Sequence, residues 1–97
     1  MSEEKMEKLI DELCEVILRL ETMDDCKMLF EDLCTYQEIE QMALRMYAAK
    51  QFLEGKTYLQ IIEKTKLSSA TLSRISRCIT HGSGGYKKFI KTENKDG

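Results

Sequence analysis

Proline is absent from this chain of 97 residues, and four of its five glycines stand at position 82 or later. Proline and glycine are the residues that stop helices most effectively, costing about 3 and about 1 kcal/mol in a helix interior. Residues 1–54 therefore contain no strong breaker. Few strand-type alternations of apolar and polar residues appear either. The fold class this implies is all-α. A chain of this length makes one domain with a modest core, and so small a core gains much from a second copy of the chain.

Apolar residues recur at helical steps along the N-terminal half. Met6, Leu9, Ile10, Leu13, Cys14, Ile17 and Leu20 share one face, which predicts a first helix from about Glu3 to Leu20. Thr22, Asp24 and Asp25 then restart the chain with a capping oxygen and acids suited to a helix N-terminus. The second helix carries Cys26, Leu29, Phe30, Leu33 and Cys34. Thr35 and Glu38 form a capping box for a third helix, from about Tyr36 to Glu54, and Gly55 follows where a left-handed C′ residue is wanted. Thr57 and Gln60 form a second box, opening a short helix with Leu59, Ile61 and Ile62. Ser68 caps a further helix to about Thr80. A flexible glycine-rich connection at 81–85, a last short helix at Tyr86–Ile90 and a disordered tail from Lys91 complete the six-helix pattern. Three regions of one domain follow: residues 1–54 for dimerisation, 55–80 for a helix-turn-helix, and 81–97 for the connection, last helix and basic tail.

The net charge of −2 conceals a division, because residues 1–54 carry −8 and residues 55–97 carry +6. Cations gathered in one half can offer a basic surface to phosphate while the whole stays near neutral. Chemistry of other kinds finds little support. The four cysteines make no C-x-x-C pair and His81 is the lone histidine, so no zinc set is expected. There is no nucleophile–base–acid set and no phosphate loop, so the chain does not read as an enzyme. The charged stretch from Ser2 to Lys8 is followed by no long apolar run. A secretory signal, a membrane span and disulfides are accordingly not expected, and the reading is a cytoplasmic protein with reduced thiols.

Residues 57–75, TYLQIIEKTKLSSATLSRI, read as one unit. A capped short helix, a tight turn and a second capped helix follow in order, and Ile61, Thr65, Leu67, Leu72 and Ile75 fall where two crossed helices must bury residues between them. Outward from the second helix stand Ser69, Ala70, Thr71, Ser73, Arg74 and Arg77. This is the build of a helix-turn-helix, whose second helix enters the major groove with its N-terminal residues on base edges. Small residues allow close approach, hydroxyls can donate or accept, and the Thr71 methyl can meet a thymine methyl. The helix starts at Thr57 and Ser68 suit phosphate oxygens, and Lys56, Lys64 and Lys66 add charge. Tyr58 and Gln60 complete the expected DNA-facing set. Two departures from the usual motif stand out: Ile62 where alanine is common, and Lys66 where the turn usually has glycine. Ile62 requires a shifted helix crossing, and Lys66 is expected to carry left-handed strain.

On the segments LCTYQEIEQMALRMYAAKQFLEGKTY and IEKTKLSSATLSRI, the chain resembles the Trp repressor family, and within it the Trp-repressor-like YerC/YecD subgroup. The resemblance implies an intertwined homodimer with two reading heads on a palindromic operator, and hence a transcriptional regulator, most simply a repressor. It also implies a corepressor pocket. Its two arginines match Arg45 and Arg74, its threonine matches Thr35, and further positions match Ile75 and Cys78. Tryptophan-binding members have glycine at the position of Ile75 and serine at that of Cys78. The expectation is therefore that no cofactor is required, with L-tryptophan or another small ligand as an added possibility. The family's lysine on the first motif helix matches Ile62, and neighbouring polar positions fall on Tyr58 and Leu59, so operator sequence does not transfer. With Ser69, Ala70 and Thr71 as the base readers and no Asn or Gln among those three, DNA shape and water must carry much of the specificity. The competing reading is a protein–protein interaction module that uses the basic C-terminal half without specific DNA binding.

Overall fold

A computed structural model describes residues 1–93, and its chain falls into two compact units, Met1–Tyr36 and the remainder from Gln37. Six α-helices follow in order, α1 (Glu3–Ile17), α2 (Met23–Leu33), α3 (Tyr36–Leu53), α4 (Tyr58–Thr65), α5 (Ser69–His81) and α6 (Gly85–Phe89), with no strand among the described residues. No helix among them is long and apolar enough to cross a membrane.

In the first unit, the Ser2 side chain caps α1 by accepting from the Lys5 amide at 3.2 Å. The helix ends three residues before its apolar periodicity does. Arg19 and Leu20 donate to the carbonyls of Val16 and Ile17 at 3.0 and 3.1 Å, bonds that tighten the last turn into 3₁₀ form. Thr22 and Asp25 close a reciprocal box on α2: the Thr22 hydroxyl accepts from the Asp25 amide at 3.0 Å, and the Asp25 carboxylate accepts from the amides of Glu21 and Thr22 at 3.1 and 3.3 Å. The Glu21 amide first, then the Thr22 hydroxyl and amide, hold the Asp25 carboxyl below the usual carboxylate range. Cys34, expected within α2, is its extended C-cap instead. Neither α1 nor α2 contains a buried residue.

In the second unit, Gly55 at φ 85° ends α3 as expected. The amides of Gly55 and Lys56 donate to the carbonyls of Phe52 and Gln51, both at 3.0 Å, the paired bonds of a Schellman motif. The core gathers Ala48 and Ala49 of α3, Ile61 of α4, Leu67 of the turn, and Leu72 and Ile75 of α5. Two adjacent alanines on α3 leave room for the larger side chains of α4 and α5. Burial of Ile61, Leu72 and Ile75 contributes about 1.5–3 kcal/mol each. His81, expected in the connection, is the last residue of α5, and Gly82 follows where an added Cβ would strike the Cys78 carbonyl. Tyr86 and Ile90 pack against the core. Beyond α6 the chain returns to α3, where the Glu93 amide donates to the Glu54 carboxylate at 2.8 Å and Lys50 stands 3.8 Å from the Glu93 carboxylate. The disordered tail expected from Lys91 falls in part on residues 94–97, outside the described residues.

Candidate nucleic-acid interface

The turn between α4 and α5 is fixed by chemistry local to it. Thr57 and Gln60 close their capping box, with the Thr57 amide donating to Gln60 Oε1 at 2.9 Å and the Gln60 amide donating to Thr57 Oγ1 at 3.2 Å. At the other end of α4, Thr65 is only 5% exposed. Its hydroxyl donates to the Ile61 carbonyl at 2.8 Å and accepts from the Leu67 amide at 3.3 Å, so a buried side chain satisfies the backbone of the turn. Lys66 takes φ 59° and ψ 18°, the left-handed conformation foreseen for it. Ser68 then caps α5, accepting from the Thr71 amide at 3.1 Å.

The five residues assigned to the helix crossing, Ile61, Thr65, Leu67, Leu72 and Ile75, are all buried. With that side sealed, Ser69, Ala70, Ser73, Arg74 and Arg77 form an exposed edge along α5. Lys56, Lys64 and Lys66 are exposed on α4 and its flanks, as are Thr57, Gln60 and Ser68.

Three of the expected readers spend part of their polarity inside the protein. The Ser68 hydroxyl donates to the Thr71 hydroxyl at 2.9 Å, and Thr71 is half-buried instead of standing clear on the outward edge. Tyr58 is also half-buried; its hydroxyl donates to the Ser69 carbonyl at 2.9 Å and its ring lies 6.3 Å from that of Phe52 at a tilt of 53°.

Behind α5 lies a cleft of about 400 Å³ that brings together Arg45, Arg74, Ile75 and Cys78, four of the five residues matched to a ligand pocket. Gln41, Thr71 and Tyr86 complete its walls. Arg45 Nε donates to the Gln41 carbonyl at 3.4 Å, one helical turn back. The sequence points to neither Gln41 nor Tyr86 as a lining residue, although it places Tyr86 at the start of the last short helix. Gln41 carried one usable signal, its i, i+4 spacing to Arg45. Thr35, the fifth matched residue, lies ahead of α3 in the first unit. A second, largely apolar cleft of about 480 Å³ includes Met46, Cys78, Tyr86, Phe89 and Ile90 in its lining.

Residues 8–94 match the family model of the Trp repressor protein. The chain belongs to the Trp repressor family. Members of the Trp repressor family are regulatory DNA-binding proteins. The chain is 40% identical over 83 residues to the YerC protein of Bacillus subtilis (strain 168), covering 86% of this chain and 80% of YerC. Among solved structures it is similar to a TrpR-like protein from Eubacterium eligens ATCC 27750, with 40% identity, a TM-score of 0.79 and 84% of each chain covered. It is also similar to a candidate Trp repressor from Staphylococcus aureus, with 37% identity, a TM-score of 0.81, and 91% of this chain and 89% of that one covered.

Proposed function

We propose that this protein is a cytoplasmic, homodimeric, sequence-specific DNA-binding regulator that represses transcription by occupying a palindromic operator. One observation carries the reading. The second helix of the motif buries Leu72 and Ile75 and leaves Ser69, Ala70, Ser73, Arg74 and Arg77 exposed on the other side. An edge of small residues, hydroxyls and guanidinium groups fits the floor and walls of a major groove. The excess of +6 over residues 55–97 adds attraction to the phosphates.

Exposed apolar surface supports the dimer. Met6, Leu9, Ile10 and Leu13 of α1 are each at least 40% exposed, and Met28 of α2 and Met46 of α3 are more than half exposed. Faces so apolar favour coverage by a second copy. The Arg45–Arg74 cleft does not condition binding on tryptophan. Ile75, 2% exposed, sets a branched side chain in its wall where tryptophan-binding members have glycine.

Selection of bound duplexes from a random pool, with and without L-tryptophan, tests the reading. The expected winner is a palindrome whose half-sites lie about 10 bp apart, the same in both conditions. No enriched duplex, together with an acidic protein partner retained after nuclease treatment, would replace this reading with that of a protein-interaction module. Enrichment only with the amino acid would overturn the role given to Ile75.

A further inference from the structure

The first turn of α5 must meet the bases, yet it has no buried side chain of its own to hold it. Ser68, Ser69 and Ala70 are exposed and Thr71 is half-buried; Leu72 is the first side chain sealed in the core. Tyr58 reaches this turn from eleven residues away. It is the first residue of α4, and its hydroxyl donates to the carbonyl of Ser69, the first residue of α5, at 2.9 Å. A carbonyl has two lone pairs, so this bond adds to the helix ladder without displacing it. The other end of the lever is anchored, since the Tyr58 ring stacks at a tilt on Phe52 of α3 and packs against the core. One side chain thus joins the end of α3 to the starts of α4 and α5.

We propose that Tyr58 is a positioning residue for base recognition, whose hydroxyl holds the first turn of α5 at the angle from which Ser69 and Ala70 meet base edges. The inference rests on the DNA-binding reading above. It reassigns Tyr58 from the direct DNA contact expected of it, because the phenolic proton is already donated inward. Base readout depends on the angle of a helix in the groove, whereas attraction to phosphates tolerates small rotations. Loss of the clamp should therefore weaken discrimination before it weakens attachment.

Tyr58→Phe removes the hydroxyl and keeps the ring, so the packing on Phe52 persists. In the full chain, we expect the variant to melt within a few degrees of the parent. Affinity for the selected duplex should fall about fivefold per half-site, the worth of one hydrogen bond, and so about 25-fold for a dimer that loses two. Affinity for an unrelated duplex of equal length, and the dependence on salt, should stay as they were. Hydrogen exchange on the DNA-free protein should quicken about fivefold at the amides of Leu72 and Ser73. An unchanged ratio between the two duplexes would overturn the proposal. So would a proportional loss on both duplexes with a shallower salt dependence, which would make Tyr58 a direct phosphate contact. If the parent protein binds no duplex while exchange still quickens, the DNA-binding reading fails and the clamp alone survives.

Discussion

The Lys66 amide donates to the Ile62 carbonyl at 2.9 Å while Lys66 itself sits at φ 59°, so a lysine closes α4 in a conformation that favours glycine. The Cβ of an L-residue costs about 1–2 kcal/mol there. Glycine relieves that strain but has more unfolded-state entropy to lose. Lys66→Gly is expected to raise the unfolding free energy by about 0.5 kcal/mol, seen as a higher urea midpoint at constant slope. A lower midpoint would mean that the lysine side chain itself supports the turn.

Thr65 bears on the same turn from inside. Valine matches its shape but offers no acceptor to the buried Leu67 amide. Thr65→Val is expected to cost about 1–3 kcal/mol, the usual penalty for a buried donor left without a partner. Urea denaturation measures it, and a loss below about 0.3 kcal/mol would show that the amide finds another acceptor.

Leu13 lies in the middle of the apolar face of α1 and is 40% exposed. A carboxylate there would have to be desolvated by any second copy covering that face. If the protein is the dimer proposed above, Leu13→Glu should shift it from dimer to monomer in sedimentation and roughly halve the salt dependence of DNA binding. A variant that still sediments as a dimer would move the interface elsewhere.

Asp25 makes α2 sensitive to acid. Its carboxyl is held below the usual range by the Glu21 amide, with help from Thr22. A group whose folded pKa is depressed contributes stability above its unfolded pKa, and that contribution is lost as pH falls through the folded value. Asp25→Asn is expected to lower stability slightly near neutrality and to remove this part of the acid dependence, so that variant and parent converge as pH falls through the folded pKa of Asp25. Side-chain carbon NMR of the parent should find Asp25 titrating below a solvent-exposed aspartate. Titration at or above the ordinary value would contradict the capping geometry.

Local chemistry made the helix-turn-helix of α4 and α5 legible in the sequence. Thr57 with Gln60, and Ser68 alone, announce their helix starts through side-chain oxygens within three residues of the amides they accept from. The crossing residues follow from periodicity once those starts are fixed, and the strain at Lys66 follows from its place in the turn. The end of α1 was less legible, because apolar spacing runs on to Leu20 and no glycine marks a stop. The partners of the Tyr58 and Thr71 hydroxyls could not be read either, since tertiary packing and rotamers choose them. The cleft is a similar case: Arg45 and Arg74 were paired through family resemblance, whereas Gln41 and Tyr86 join them through the packing of the second unit.

Fluorescence anisotropy of the selected duplex, titrated across salt concentrations with the parent protein and with Arg77→Ala, tests the central claim most directly. Each phosphate contact contributes about 0.9 to the slope of log K against log salt. If the exposed edge of α5 lies in the groove, the Arg77→Ala dimer should bind more weakly, with a slope shallower by about 1.8 for two lost contacts. Equal affinity and an equal slope for the two proteins would show that this edge does not face DNA.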